Sequence, residues 1–579
     1  MFRYRLPAGP SAGGFGRSPA AVRASGAAWI HNIEYYMGAN PCQRAADTAV
    51  DIMNAKLKQS VVRSWTGPGG YRQVLAVGIP LVMSMISNTI MQFTDRVFLS
   101  NYSLETIAAA LPAGIASFLF ISFFMGVGEY VSVFVAQYTG AGRHERVGAA
   151  LWQGIWFCLP AWVILASLGL LAETIFGFSG HAPHVVELEV TYFRILSMGA
   201  GFAVLSAVLS CFYSGRGMTK AVMLVNMAGM LINVPLDYFL IYGVGPFPEM
   251  GIAGAGLATV MGGAMPCVLF AFLIFRQENE RLFRIRSAWR PDMELLRRLM
   301  RYGLPGGIQF FLDMFAVTFF IFVVGRLGTT ELAATNIIMS LDSVAFLPCV
   351  GLQIAVSILV GQYIGAGKPD HGARATRHAA HLGMLYMGSL GVLYVFAPEP
   401  ILHLFRPMDM TPEQFLPVEH MGVIMLRFVA AYSVLDALVL VYSGALKGAG
   451  DTRFVMWTIL ASSLGVMIVP LYVSIAFFRI DYIVPWTIFF SYALTLATVF
   501  AIRFHQGRWR EMRVIEESTA PATLATAATS GKPHSGAAEP VAEPAATSVT
   551  ESESESGAGS VADVEPRPER DKNSKGQGK

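Results

Sequence analysis

Gln137-Tyr138-Thr139-Gly140-Ala141-Gly142 returns as Gln362-Tyr363-Ile364-Gly365-Ala366-Gly367, displaced by 225 residues (362 − 137). Gly78-Ile79-Pro80 returns at the same displacement as Gly303-Leu304-Pro305. Further along, Gly215-Arg216-Gly217-Met218-Thr219-Lys220 is echoed by Gly448-Ala449-Gly450-Asp451-Thr452-Arg453, displaced by 233 (448 − 215), and Arg194 and Arg427 share that second spacing. Eight residues (233 − 225) therefore enter the second copy between the two anchors. One half-length unit has been duplicated and fused, and such repeats are a common way to build a membrane bundle around a central site.

Composition says what kind of unit it is. With 54% apolar and only 14% charged residues, and a mean hydropathy of +0.50, the chain is not composed like a soluble protein. Apolar runs of about 20 residues, the length that crosses hydrocarbon, recur about twelve times. They lie near 72–99, 107–136, 148–172, 188–212, 220–243, 252–275, 299–324, 333–362, 376–397, 421–446, 454–477 and 482–504. The expected fold is an all-α integral membrane protein with two six-helix repeats. The first occupies 71–275 and the second 299–504, joined by a linker over 276–298.

Charge placement orients the bundle. Alternate turns carry Arg143, Arg146, Arg216, Lys220, Lys368, Arg374, Lys447 and Arg453, and the linker adds Arg276, Arg281, Arg284, Arg286 and Arg290. The opposite turns hold only Arg96, Arg326, Arg406 and Arg479, beside acids such as Glu173, Glu187 and Glu249. By the positive-inside rule the basic turns are cytoplasmic, and an even number of spans puts both termini there in the plasma or inner membrane. Six spans per repeat also predict repeats in parallel orientation, related by an axis along the membrane normal.

Residues 1–70 carry arginines, glycines and alanines and no acid before Glu34. They read as a disordered leader, or as a start codon placed upstream of Met53. Residues 505–579, rich in Ala, Ser, Thr, Pro and Glu towards their end, read as a disordered cytoplasmic tail. The five cysteines (Cys42, Cys158, Cys211, Cys267, Cys349) show neither metal spacing nor a disulfide framework.

Ionisable groups inside spans cost roughly 2.5–3.5 kcal/mol each, so they mark cavities, partners or ions. The first span holds Asn88 and Asp95, seven residues apart and on one face. The fifth holds Asn226, Asn233 and Asp237, with 233 and 237 at i, i+4 and Pro235 between them freeing a backbone carbonyl. Thr259 in the sixth adds a hydroxyl. Two carboxylates, an amide and a hydroxyl on neighbouring helices suit an all-oxygen Na⁺ site or a proton-accepting pair. The second half has its own set: Gln309 and Asp313 at i, i+4, Tyr432 and Asp436 at i, i+4, and Asp342 in the eighth span; Glu129 lies in the second. The competing reading for each acid is a structural partner of Arg194, Arg427 or a helix end. Pro80 breaks the first span fifteen residues (95 − 80) before Asp95 and is a candidate hinge.

The Gln-Tyr-x-Gly-Ala-Gly blocks end spans and open basic turns. They are not phosphate loops, because no strand precedes them and no Gly-Lys-Ser/Thr follows. No nucleophile elbow, His-Glu-x-x-His or nucleotide-binding motif is present. An enzyme is therefore not expected, nor a nucleic-acid partner, nor a cofactor beyond H⁺ or Na⁺ as a coupling ion.

Across roughly residues 71–504, in the order of both Gln-Tyr turns, Gly251-Ile252-Ala253-Gly254-Ala255-Gly256-Leu257-Ala258-Thr259 and Gly444-Ala445-Leu446-Lys447-Gly448-Ala449-Gly450-Asp451-Thr452-Arg453, the chain resembles the multidrug and toxic compound extrusion (MATE) family. The resemblance implies two six-helix bundles around a central cleft, exporting mostly cationic organic compounds in exchange for H⁺ or Na⁺ by alternating access. It implies an N-lobe cation site at Asp95, Asn233, Asp237 and Thr259 with bending at Pro80, and a C-lobe site at Asp313, Tyr432 and Asp436, where Asp313 stands for the family's more usual Glu. Asn88, Glu129, Asn226, Gln309 and Asp342 are secondary candidates. The partners expected are small organic cations and the lipid bilayer, and the protein is expected to be a monomer. Two alternatives remain at this point: a lipid-linked saccharide flippase of the same superfamily, and a non-transporting receptor or scaffold on this fold. Acidic rather than basic intramembrane charge speaks against the first, and the cost of retaining idle buried acids against the second.

Overall fold

The computed structural model describes Met53, residues 58–59 and residues 62–516, apart from 179, 407–410 and 479. The first 52 residues, Cys42, Arg479 and the chain beyond 516 lie outside the described residues. Within them twelve helices are long and apolar enough to cross a membrane. These are α1 (Tyr71–Tyr102), α2 (Leu104–Gly140), α3 (Glu145–Leu170), α4 (Pro183–Ser214), α5 (Thr219–Tyr242) and α6 (Gly251–Ile274) in the first repeat. The second has α7 (Met293–Gly325), α8 (Thr329–Gly365), α9 (Pro369–Phe396), α10 (Pro412–Ala449), α11 (Thr452–Phe477) and α12 (Ile483–His505). The chain is a multi-pass membrane protein.

Local chemistry sets several ends. Ser103 accepts from the Thr106 N–H at 3.1 Å to start α2, and Asp292 accepts from the Leu295 N–H at 3.1 Å to start α7. Thr411 and Gln414 cap α10 reciprocally. Gly450 stops α10 at φ 110, a conformation that other residues adopt only under strain. The capping shows why α7 starts at Met293 rather than near 299: its first amphipathic turns belong to the segment expected to be linker. That segment also contains a short helix, Gln277–Phe283.

Two further boundaries move. α1 runs unbroken through Pro80, although the missing N–H leaves the Ala76 carbonyl without its helical partner. The C-terminal tail does not begin at 505, because residues 506–516 are ordered: Trp509, Val514 and Ile515 are buried and add to the core. Likewise the leader reading fails over 62–70. Gly69 and Gly70 are buried, and Gly69 donates its N–H to Tyr363 Oη at 2.9 Å.

Each lobe is organised around the same copy of a helix. α4 packs against α2, α3 and α6, and its repeat equivalent α10 packs against α8, α9 and α12. Val204, Val208 and Phe212 centre the first core; Val429, Tyr432 and Val441 centre the second. Between lobes the pairing is exchanged: α1 packs on α8, and α7 packs on α2.

The repeated blocks meet at this junction. The absent side chain of Gly140 makes room for the Gln362 backbone, and that of Gly365 makes room for the Gln137 backbone; a Cβ at either would overlap the opposing carbonyl. Gln137 Nε2 then donates to the Gly448 carbonyl at 3.1 Å, and Gln362 Nε2 to the Gly215 carbonyl at 2.9 Å. Gly215 and Gly448 are themselves repeat equivalents, so each lobe's glutamine satisfies the other lobe's glycine turn. Tyr130 Oη adds a third crossing bond to the Lys447 carbonyl at 3.1 Å. All of these lie at the end that carries the basic turns, where the lobes are closed on each other.

Gly140→Ala and Gly365→Ala should each lower stability by about 1–3 kcal/mol, since backbone rather than a flexible side chain must yield. Gly177→Ala, where an added Cβ meets nothing within 4 Å, should leave the melting temperature of the purified protein unchanged. Equal melting of all three variants would contradict the close-approach reading.

Candidate functional site

Three polar positions of the first repeat are sealed in its interior. Asn233 and Asp237 have no exposed surface and Asp95 keeps only 9%. The i, i+4 spacing on α5 stacks Asn233 above Asp237 on the face that meets α1 and α6. Gly262 of α6 allows this: a Cβ there would lie 2.9 Å from that of Asn233. Asp95 on α1 comes near enough to Asp237 for the two charges to interact. Tyr192 of α4 closes the group, donating its hydroxyl to Asp95 Oδ2 at 3.3 Å and lying within hydrogen-bonding reach of Thr259.

What the group lacks defines its chemistry. Asp95 Oδ1, both carboxylate oxygens of Asp237 and both amide atoms of Asn233 are buried without a hydrogen-bond partner. Buried polar atoms are ordinarily satisfied, so these five converging atoms stand out among the described residues. Neither arginine that the sequence offers as a structural partner is bonded to these acids. Arg194 is spent on Glu173 Oε1 at 3.1 Å and on the Gly169 carbonyl at 3.4 Å, and Arg427 is exposed.

The secondary positions of this lobe separate from the group. Asn226 donates to Ser84 Oγ at 2.6 Å, a bond that ties α5 to α1 below the acids. Asn88 is exposed. Tyr192 was missed by sequence reasoning because a tyrosine in an apolar helix carries no polar periodicity; only its spatial approach to Asp95 marks it.

In the second repeat the acids group differently from the expectation. Tyr432 on α10 is fully buried, and the charge it meets first is Asp342 of α8, with Asp436 next. Asp342 and Asp436 also interact directly. Asp342, a secondary candidate in sequence, thus belongs with Tyr432 and Asp436. Asp313 accepts from Gln309 Nε2 at 3.2 Å and shares a cation, Lys447, with Glu129 of α2. Tyr492 of α12 links the two groups, sensing both Asp313 and Asp436 and bonding Ser463 Oγ at 3.2 Å. Lys447 sits in the last turns of α10 rather than in a basic turn. The central charges are therefore mixed: four acids and one lysine lie there, and the lysine interacts with two of them, Asp313 and Glu129. Asp313, Asp342, Asp436, Lys447 and Glu129 are surrounded by protein yet retain accessible surface, as groups lining a cleft do.

The family model MatE matches residues 80–239 and 305–473, one match per repeat and together more than half of the chain. The chain belongs to the MatE family. Among similar proteins, a probable multidrug resistance protein NorM of Brucella suis is 28% identical over 410 residues, covering 70% of this chain and 86% of its own. The probable multidrug resistance protein NorM of Thermotoga maritima is 23% identical over 447 residues, covering 77% and 94%. The multidrug resistance protein MdtK of Klebsiella pneumoniae is 29% identical over 395 residues, covering 67% and 83%. Solved structures share the fold. A MOP superfamily transporter from Pyrococcus furiosus gives a TM-score of 0.69 at 20% identity, covering 78% of this chain and 99% of that one. The outward-facing conformation of a multidrug resistance MATE family transporter gives 0.69 at 19% identity, covering 77% and 98%. The two MatE matches begin at Pro80 and Pro305, so the repeat read from the Gly-x-Pro and Gln-Tyr blocks is the family's own.

A buried carboxylate without a hydrogen-bond partner costs the fold stability. Asp237→Asn keeps the shape and removes the charge, so the variant should melt at or above the wild-type temperature, with a gain on the order of 1 kcal/mol. A clear loss would reveal an undetected partner for the carboxylate.

Proposed function

We propose that this MatE protein is a secondary active antiporter that exports organic cations in exchange for H⁺ or Na⁺. The observation that carries the reading is the sealed set Asp95, Asn233 and Asp237, in which Asp95 Oδ1, both Asp237 oxygens and Asn233 Oδ1 lack protein partners. A proton or a Na⁺ ion satisfies such a set; lipid or packing side chains do not. The multidrug names of the NorM and MdtK relatives support an organic substrate, and the acids Glu129, Asp313, Asp342 and Asp436 around the cleft support a cationic one.

The mechanism follows from where these groups sit. The coupling ion enters the N-lobe set and neutralises Asp95 and Asp237, and Thr259 and Tyr192 offer it further oxygen contacts. Asp95 shares α1 with Pro80, so a change of charge at one end of that helix can bias bending at the other. Substrate sits against the cleft acids, with aromatic faces giving cation–π contact. Exchange requires that ion and substrate favour different arrangements of the two lobes. The basic turns support, by the positive-inside rule, a cytoplasmic position for the closed lobe junction and for both ends of the bundle.

Dye efflux from everted membrane vesicles tests this. A pH gradient or a Na⁺ gradient should drive accumulation of a cationic dye, and Asp237→Asn should cut the initial rate at least tenfold, to near background. Asp436→Asn should raise the dye concentration needed for half-maximal transport more than it lowers the maximal rate. Failure of both gradients to move any cationic dye would defeat the antiporter reading. Loss of transport in Asp436→Asn alone would move the coupling site to the C-lobe.

A further inference from the structure

The ordered segment after α12 ties the two lobes together. It leaves the C-lobe at His505 and turns through Gly507 (φ 75) into a short 3-10 turn, Arg508–Glu511. Its root is fastened to the C-lobe. The Trp509 ring stacks on Phe504 at 5.1 Å, and its Nε1–H donates to the Phe504 carbonyl at 2.9 Å. Arg510 pairs with Asp370 of α9 at 3.2 Å.

Its tip is fastened to the N-lobe. The Val514 N–H donates to Gln137 Oε1 at 3.0 Å, using the one atom of that amide that the Gly448 bond leaves free. The Glu516 carboxylate then enters a cup of N-lobe donors. Tyr138 Oη donates at 2.9 Å, Arg146 Nη2 at 2.8 Å and Arg143 Nη1 at 3.4 Å, and Arg143 Nη1 also donates to the Glu516 carbonyl at 3.0 Å. Arg298 of α7 stands 3.7 Å away, and Asp292 is the other acid on Arg146, at 3.4 Å. Burial opposes the charge on Glu516, but the Arg146 and Tyr138 hydrogen bonds outweigh it and hold the carboxyl below its ordinary range. Glu516 is therefore ionised throughout the physiological pH range. Since its folded pKa is depressed, this contribution is complete above about pH 4.3 and fades only as pH falls below that.

From this arrangement we infer that residues 506–516 are an intramolecular latch across the basic-turn end, which favours the arrangement of the MatE lobes closed there. Root and tip sit on different lobes, so opening that end must break the tip contacts, whereas opening the far end need not. An interaction present in only one of two states shifts their ratio by its full strength. Each charge-assisted bond to Glu516 is stronger than a neutral one, because donor and acceptor are both ionised in the arginine pairs. The latch rests on the two-lobe, alternating-access reading but sets its rate and resting state rather than its ion or substrate. No duplicate exists, since the first repeat runs from α6 straight into the Gln277–Phe283 helix.

The test is a distance measurement on the full chain in lipid nanodiscs, which does not depend on transport. Spin labels go on Glu145→Cys and Lys368→Cys, exposed positions at the basic ends of the two lobes. Cys42 is replaced by serine, and Cys158, Cys211, Cys267 and Cys349 are buried. In pulsed electron–electron resonance, Glu516→Gln should raise the long-distance population by about tenfold relative to the latched protein. Glu516→Arg, which faces Arg143, Arg146 and Arg298 with a like charge, should raise it at least as far. A Glu516→Gln or Glu516→Arg distribution that superimposes on the unsubstituted one overturns the latch. Unchanged melting temperatures across the set separate a local release from unfolding. If the distances shift while no gradient drives dye efflux, the latch stands and the antiporter reading falls; efflux with unmoved distances gives the reverse.

Discussion

Two exchanged amide bonds hold the architecture at its junction. Gln137 reaches into the second lobe to the Gly448 carbonyl, and Gln362 reaches into the first to the Gly215 carbonyl. Those carbonyls belong to glycine turns at helix ends, where intrahelical partners run out and a donor from elsewhere is needed. Supplying that donor from the opposite lobe makes each lobe's helix end incomplete without the other. Gly140 and Gly365 let the backbones come close enough for the exchange. Around it α1 packs on α8 and α7 on α2, so the pseudo-symmetric pairing spreads from one pair of glutamines along the inner helices. Such bonds are individually modest, about 1 kcal/mol each.

The chemistry does not share the scaffold's symmetry. The first lobe assembles its acids from α1 and α5, with Tyr192 of α4 and Thr259 of α6 beside them, and seals them from solvent. The second assembles Asp342, Tyr432 and Asp436 from α8 and α10 and leaves its carboxylates with accessible surface. At the repeat displacements Asp436 corresponds to Ala203 and Asp95 to Phe320, so neither cluster has a counterpart in the other lobe. Lys447 lends one positive charge to Asp313 and Glu129 together, and those acids come from different lobes. A sealed set favours a small ion that can replace a hydration shell, while an open set can accept a larger cation that keeps part of its water.

Span number and repeat were legible in the sequence for a physical reason. Hydrocarbon demands long apolar helices whatever their partners, and a duplicated unit must conserve its turns to reuse its packing. The N-lobe acids were legible too, because Asn233 and Asp237 sit one turn apart in an otherwise apolar helix, where any polar residue stands out. Grouping was harder. Asp313, Asp342 and Asp436 lie on three helices, and nothing in their local spacing says which two share a partner. Asn226 matched the polar stripe of α5 but turned out to serve Ser84. The segment 506–516 looked like the start of a polar tail because its order depends on tertiary contacts alone: one tryptophan, two aliphatic residues and one carboxylate, each met by a residue hundreds of positions away or by the end of α12.

The same contacts explain why closure at the basic end is a property of the whole chain and not of either lobe. Gln137 is the shared atom set: its Nε2 completes the glycine turn of α10 and its Oε1 receives the segment after α12. Both partners belong to the second lobe, so the amide is satisfied twice over by one surface and loses both bonds when that surface withdraws. A fully buried amide stripped of both partners costs more than the sum of two exposed bonds, because desolvation is no longer repaid until water reaches it. Withdrawal of that surface would thus break both bonds together. The proposed alternating exposure of a central site would use such a coupling to separate two discrete states.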